Sequence, residues 1–553
     1  ATFIGRGRTA LDPQAMDKPG ALSCKTGNVL DPVMSWRCKV ALGPEESKVV
    51  WLVTAVAPDE KSVMEMITNC QKVNTAESLL DEARAAEIAN LAKLKINQDT
   101  AARYETLAAK MLAGRKYRQV PLSENGSKIL HLFPLSWEEI RVVAAAGLMS
   151  AGTQDVITAL PFWNSLGLKV RLFVMDTIGA TSTLPENVAI VNPTSFTADE
   201  LEWWYASAQL VVGAEISPAI ISDKKQLPYA TPTPPDYAVK LDEKLQCFNG
   251  YGGFSADGRE YVIPMSLKNG RLHLPPMPWV NVLANPNFGC IVSDRGAGYT
   301  WSRNSQANRL TSWSNDPISD PHSEAFYMLD EDTGELWSPL PGPCPPQSAF
   351  IVRHGFGRTR FISNIGSLSQ EVEILVPPED SIKLVSVRLK NNGTAPRNLV
   401  FSSYQRLLLC SAPDRHHATL AWTDGNHIQH AINPRAGDFA DVRVFSFMCV
   451  HGVAVERVGY NNSASAFLGE GGIADPAALA AGGGWESARG FGYDACFSNM
   501  TSFILPPDAE VEILIGFSEV GSLAEENRII QKYGEPDAMR AASAEVDVYW
   551  EKM

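Results

Sequence analysis

Between Tyr299 and Asp316 the chain reads YTWSRNSQANRLTSWSND. This stretch is too polar for a strand and too rich in Trp and Arg for an ordinary turn, which marks it as a long functional loop on a scaffold. Its residue types suit a sugar. A pyranose offers a flat C–H face and a rim of hydroxyls. Trp301 and Trp313 supply apolar platforms of low conformational entropy. Arg303, Asn304, Arg309, Asn315 and Asp316 supply the paired hydrogen bonds that fix hydroxyl orientation. The competing reading packs both Trp side chains under the loop and pairs the Arg residues with Asp294 or Asp316. Composition alone does not separate the two.

Acid–base chemistry on a glycosidic bond needs two facing carboxylates, or one acid and an external nucleophile. Asp294, Asp316, Asp320 and Glu324 lie in or near the loop, but nothing in the sequence pairs them. His354, in Arg353-His-Gly-Phe-Gly-Arg358, could meet an anion; a structural role at a strand end suits it better. His416, His417, His427 and His430 have no acidic or Cys partner at metal-ligand spacing. There is no GxSxG elbow and no phosphate loop, and Gly152 and Gly179 stand alone. No catalytic residue, metal site or cofactor is therefore assigned.

The elements that must carry the loop come next. From residue 246 to 520, short apolar runs alternate with turn clusters such as Ser255-Ala-Asp-Gly258 and Lys390-Asn-Asn-Gly393. Strands are expected at Val372–Val376, Leu384–Leu389, Leu399–Arg406, His427–Ile432, Val442–Met448 and Val511–Phe517. Such a length of strands without a long helix predicts a large antiparallel β-sandwich. The overall expectation is a mainly β plus α/β chain. Residues 1–57 form a partial sandwich end and 58–114 a helical linker. Residues 115–226 form a small α/β domain, with helices near 138–148, 154–166 and 198–208 and strands at Leu168–Asp176, Val188–Val191 and Leu210–Gly213. A Pro-rich linker, 227–245, leads into the sandwich of 246–520, and 521–553 is a helical tail.

The partial sandwich end rests on a repeat. FIGRGRTALDP at Phe3–Pro13 resembles FLGEGGIADP at Phe467–Pro476. LGPEE at Leu42–Glu46 resembles LPPDAE at Leu505–Glu510, and both lead into an apolar run and then a helix. Residues 1–57 are thus expected to be the last part of a module whose earlier strands lie outside this chain.

The 553 residues carry a net charge of −14, which disfavours general nucleic-acid binding. Nine scattered Cys without a CxxC pair suggest buried thiols in a reducing compartment. No apolar run reaches the roughly 20 residues that span a bilayer, and ATFIGRGRTALDPQ lacks the pattern of a signal peptide. A cytoplasmic location without a membrane span is the resulting expectation.

At FNGYGGF (248–254), GREY (258–261), PWVN (278–281), GYTW (298–301), NRLT (308–311), WSND (313–316) and RHG (353–355) the chain resembles the cyclic β-1,2-glucan synthases. The resemblance is to their phosphorylase-like part, in the cellobiose-phosphorylase family of inverting glycoside phosphorylases (glycoside hydrolase family ninety-four type). It is dense over Phe248–Phe361 and looser to Met553. It implies a sandwich preceding an (α/α)₆ barrel that holds the catalytic Asp and binds inorganic phosphate as co-substrate. On that reading the barrel and its acid lie outside this chain, in cis or in trans, and the chain alone is inactive. The resemblance assigns the Tyr299–Asp316 loop to a β-glucan or gluco-oligosaccharide and singles out Arg309, Trp313 and Asn315. It also implies that Ile529, Ile530, Val546 and Trp550 form an exposed apolar face awaiting the barrel. Full-length synthases of this kind can be anchored in the inner membrane, and a homodimer is compatible with it. Arg358 departs from the family's aromatic residue. The alternatives are part of a β-1,2-oligoglucan phosphorylase, or a non-catalytic carbohydrate-binding or assembly module.

Overall fold

A computed structural model describes residues 3–8, 13–17, 20–24, 33–70, 75–112, 140–177, 184–197, 201, 204–205, 208, 210–213, 237–411, 419–469, 471–480, 490–491 and 494–553. Two sheets dominate. The larger has eleven antiparallel strands. Its centre runs Arg443–His451, Glu510–Val520, Ile382–Asn391, Leu368–Leu375, Arg358–Ile365, Phe350–Gly355 and Glu260–Met265. The smaller has five strands, in the order Leu336–Trp337, Glu324–Asp330, Arg397–Arg406, Ala495–Leu505 and Val455–Ser463. Alternate side chains explain why they stack. Val385, Val387, Ile513, Ile515 and Phe517 point inward from the larger sheet and meet Phe326, Phe401, Phe497 and Phe503 from the smaller. This is the expected large antiparallel sandwich.

The intervening positions of the larger sheet are apolar too. Leu375, Leu384, Phe445, Phe447 and Leu514 form a second core with the helices Leu523–Tyr533 and Ala538–Lys552. Ile529 and Val546 are buried there, and Ile530 and Trp550 are partly buried against the same cluster. The expectation that these four form an exposed face is therefore corrected. The sheet has two apolar faces, and the helical stripe is covered by the outer one. Arg358, at the position that departs from the family, reaches this helical layer through Ser543 (2.7 Å) and Asp547 (3.0 Å).

The α/β part is a parallel sheet ordered Val188–Val191, Val170–Met175, Ile140–Ala144, Leu210–Val212. Helices Ala151–Ser165 and Gln98–Leu112 cover one face, and Trp163 Nε1 donates to the Tyr104 carbonyl at 2.9 Å. The helix expected near 138–148 is corrected: Ile140–Ala144 is a strand. Val142 and Val143 pair with Leu172 and Phe173 on one side and Leu210 and Val211 on the other, a central position that favours β-branched residues. Residues 113–139 and 214–236, which carry the expected capping box at Ser136 and much of the Pro-rich linker, lie outside the described residues. The helix expected near 198–208 lies largely outside them as well. Helices Glu60–Cys70 and Thr75–Leu94 precede the α/β part.

The repeat in the sequence is also a repeat in backbone geometry, at an offset of 463 positions from Pro13 onward and 464 before the one-residue gap that precedes it. Pro13 precedes the 3₁₀ turn Gln14–Met16, as Pro476 precedes Ala477–Leu479. Gly5 (φ 85°) and Gly469 (φ 56°) are each backed against the start of that turn, and an added Cβ would meet Gln14 Oε1 at 2.5 Å or Ala477 Cβ at 2.4 Å. Glu45 (φ 61°) and Asp508 (φ 59°) are both left-handed. Glu46 N donates to Gly43 O, as Ala509 N donates to Pro506 O. Asp59 caps the N–H of Ser62 as Ser522 caps that of Glu525, and each begins an eleven-residue helix. Unlike the second copy, residues 33–57 contain no strand.

Candidate sugar-binding site

Strands Phe288–Ser293 and Gly298–Ser302 form a tight hairpin, with Gly296 left-handed (φ 83°) in its turn. The loop then folds back on its own strand. Arg303 turns it with φ 60°, and Asn304 Oδ1 accepts from the N–H groups of Gln306 (3.0 Å) and Ala307 (2.8 Å). Ser302 N donates to Asn308 O at 3.2 Å, and Leu310 N donates to Thr300 O at 2.9 Å. The second half is tied to the smaller sheet, where Leu408 N donates to Leu310 O at 2.9 Å.

The aromatic residues assemble around Tyr299. Trp313 stacks on it at 4.7 Å and 12°, Trp301 lies 5.2 Å away, and the Arg309 guanidinium sits 5.7 Å from its centroid. Trp301 lies over Gly289, where an added Cβ would fall 2.4 Å from Cζ2. Trp301, Arg309 and Trp313 are partly exposed, whereas Tyr299 is buried. Arg309 has no ion-pair partner among the described residues, and its Nε is buried without a hydrogen bond. A cation held over aromatic rings and left without a carboxylate has donors to offer a ligand.

The other candidates are placed differently. Arg303 donates to Glu519 from Nη2 (2.7 Å) and Nε (3.1 Å) and lies over Phe439. Asn308 Nδ2 donates to the other Glu519 oxygen at 2.7 Å. Asp316 accepts from Ile318 N (2.8 Å), Ser319 N (3.2 Å) and the Ser319 hydroxyl. Burial alone would raise its carboxyl, but these donors hold it below the usual range. Asn315 is exposed and left-handed (φ 51°). The loop's acceptors are thus largely engaged in holding its shape, and the rings with Arg309 are what it presents. Tyr299 and Glu519 went unassigned in the sequence. Tyr299 could have been found from its two-residue spacing to Trp301; Glu519 is too distant in sequence to leave a signal.

The carboxylates beneath the loop belong to two buried clusters. Glu324 accepts from Thr300 and Thr311 (2.7 Å each) and pairs with Lys383, which also donates to Thr300 at 2.8 Å. Asp294 accepts from Arg6, from Trp279 N (3.1 Å) and, near Asp320, sits fully buried; burial pushes it up to about 7 despite the Arg6 charge. Asp320 accepts from Ser293 at 2.7 Å and is likewise raised by burial. His354 is enclosed, with Nε2 3.2 Å from Trp279 O and Nδ1 3.1 Å from Thr359 Oγ1, and burial holds it down at about 4. An Nε2–H donor and an unprotonated Nδ1 fit that geometry. His430 lies 3.2 Å from Asp424, and His427 lies near Tyr460; His416 and His417 fall outside the described residues. Among the described residues no group of three or more His, Cys, Asp or Glu could hold a metal, and no helix is long and apolar enough to cross a membrane.

The glycosyl hydrolase 94 supersandwich domain matches residues 1–73 and 259–536, more than half of the chain. The chain belongs to this family. The cyclic beta-(1,2)-glucan synthase of Rhizobium meliloti is 25% identical over 99% of the chain, which spans only 21% of that protein. The N,N'-diacetylchitobiose phosphorylase of Vibrio furnissii is 24% identical over 55% of the chain and 37% of its own length. A 3-O-beta-D-glucopyranosyl-beta-D-glucuronide phosphorylase of Paenibacillus borealis is 28% identical over 27% of the chain and 18% of its own length. The chain therefore covers well under half of each of these relatives. Its place is with glucan-related members of the family.

Proposed function

We propose that the supersandwich presents the Tyr299–Asp316 loop to a β-1,2-linked glucan or gluco-oligosaccharide. It does so as the carbohydrate-contacting portion of a glycosyltransferase or glycoside phosphorylase. The observation that carries this reading is Arg309: a guanidinium beside Tyr299, Trp301 and Trp313, with no acidic partner among the described residues. Trp313 and Trp301 offer apolar area to the sugar face, and Arg309 offers donors to its hydroxyls. Family membership and the names of the relatives supply the substrate class.

Asp294, Asp316, Asp320 and Glu324 are enclosed or engaged by turns, cations and hydroxyls, so the reading assigns none of them as the catalytic acid. The acid and the binding of inorganic phosphate are placed on a catalytic barrel that packs against this chain, in cis or in trans. Calorimetric titration with β-1,2-gluco-oligosaccharides tests the binding role. Trp313→Ala and Arg309→Ala should each weaken binding about tenfold, or ~1.4 kcal/mol. Unchanged affinity with a lowered melting temperature would mean that the stack only packs the loop. Release of glucose 1-phosphate by the chain alone, with phosphate present, would overturn the placing of the acid.

A further inference from the structure

The interior of the sandwich is apolar over much of its length, but not beneath the loop. In the larger sheet Gln429, Ser446, Phe517 and Lys383 stand directly opposite one another on four adjacent strands, Gln429–Ile432, Arg443–His451, Glu510–Val520 and Ile382–Asn391. In the smaller sheet Glu324, Gln405 and Phe497 form one such row, and Phe326, Ser403 and Asn499 form the next. Directly opposed residues share a face of their sheet. Phe326, Phe497 and Phe517 fix that face as the inner one, because all three belong to the core between the sheets. The rows also meet across the sandwich. Lys383 pairs with Glu324, Phe517 meets Phe497 edge-on with centroids 6.1 Å apart, and Gln429 Nε2 donates to the Asn461 and Ser498 carbonyls at 3.3 Å.

Five atoms in these rows have no hydrogen-bond partner among the described residues: Ser403 Oγ, Gln405 Oε1, Gln429 Oε1, Ser446 Oγ and Asn499 Nδ2. None of the five residues is more than 2% exposed. Ser403 and Asn499 are cross-strand neighbours, as are Gln429 and Ser446, yet neither pair closes a bond between its orphan atoms. Left dry, these orphans would remove a large part of the stability a domain has. Whatever satisfies them has to donate and to accept, since hydroxyls, amide oxygens and an amide nitrogen are all represented. It also has to be uncharged. The carboxylates that flank the rows are already matched, Glu324 by Lys383 and Glu519 by Arg303, so a buried ion would find no counter-charge.

We propose that these side chains hold a cluster of bound water molecules between the two sheets. The waters bridge the Gln429–Ser446 pair of the larger sheet to Gln405 and the Ser403–Asn499 pair of the smaller. The site lies between the two anchors of the loop. Glu324, beside Gln405, takes Thr300 and Thr311, and Glu519, two residues on from Phe517, takes Arg303 and Asn308. The loop therefore rests on a hydrated layer rather than directly on the apolar core.

A crystal structure of the whole chain, at a resolution that shows ordered solvent, tests the site directly. Water peaks should stand between the sheets, each about 2.7–3.2 Å from at least two of the five atoms. The lack of such peaks would overturn the proposal. A peak ringed by oxygens at about 2.4 Å would be a cation and would overturn it as well. Ser446→Ala and Ser403→Ala test it in solution. Each removes a hydroxyl that the bound water uses, so each should lower the urea midpoint and raise the unfolding equilibrium constant about fivefold. In a dry layer the same change deletes an orphan, and the midpoint rises. A midpoint unchanged or raised in either variant would overturn the proposal.

Discussion

Arg6 and Asp294, 288 positions apart, meet in a forked pair, with Nη2 2.8 Å from Oδ1 and Nη1 3.3 Å from Oδ2. The N-terminal segment is thereby plugged into the turn beside the loop hairpin, where Arg6 also donates to the Pro275 carbonyl at 2.9 Å. Burial, helped by nearby Asp320, still keeps the Asp294 carboxyl at about 7.

A pH dependence follows from that carboxyl. Its folded-state affinity for a proton exceeds that of an unfolded Asp, near 3.9. Between about pH 4 and pH 7 the folded state therefore binds more protons, and stability falls as pH rises through this window. Asp294→Asn should flatten this part of the urea-midpoint profile. Arg6→Met should cost about 1–3 kcal/mol, most of it above pH 7, where Asp294 is ionised and loses its donors. A profile unchanged by Asp294→Asn would contradict this account.

Lys383→Met strands the Glu324 carboxylate in the core beneath the loop. A buried pair broken on one side typically costs ~3–5 kcal/mol. Lys383→Met with Glu324→Gln should recover most of it, because the amide can still accept from Thr300 and Thr311. Denaturant melts of the single and double variants check the recovery.

Asp380 fastens the helix Leu523–Tyr533 to the sheet by accepting from Arg528 (2.7 Å), Lys532 (3.0 Å) and Tyr533 (2.7 Å). Burial opposes its ionisation, but these donors prevail and hold it at about 2. A depressed carboxyl contributes stability above pH 4 that is lost as pH falls through about 2. Asp380→Asn should remove this acid sensitivity and raise amide exchange in 523–533 before the rest of the sandwich opens. Uniform loss of protection across the chain would refute the local role.

Gly289→Ala places a methyl group 2.4 Å from Trp301 Cζ2 and 2.8 Å from Ala284 Cβ. The ring has to shift, at a cost of ~1–3 kcal/mol. Tryptophan fluorescence and the melting temperature should change together, and oligosaccharide affinity should drop with them. A shifted ring with unchanged affinity would remove Trp301 from the site.

Much of the sandwich is readable in the sequence because its strands alternate between two apolar faces and end at Gly, Asn and Pro turns. Ile382–Asn391 and Glu510–Val520 extend the expected strands by only a few residues. Ala495–Leu505 is not readable: Ser498, Asn499, Thr501 and Ser502 are buried, and polar strand interiors leave no hydrophobic period. Residues 138–148 read as a helix in the sequence, because a short apolar run after a capping-box pattern suits one; pairing on both sides makes Ile140–Ala144 a strand instead. At the loop, residue types pointed to sugar chemistry, but the division of labour did not show. Arg303 and Arg309 look alike in sequence, and only the position of Glu519 separates a fastened side chain from one left open. The outer face of the larger sheet was likewise invisible until Phe445, Phe447 and Leu514 were seen to meet the terminal helices.

Glu519 also sets an order of events. As the ribosome extends the chain, Arg303 emerges 216 residues before the carboxylate that will hold it, and Asn308 emerges 211 residues before. The loop therefore stays unclasped until the last strand of the larger sheet is made and seated. A nascent chain halted short of that strand would bear the whole loop sequence without its shape, so ligand recognition by the loop would report that synthesis had run through the sheet.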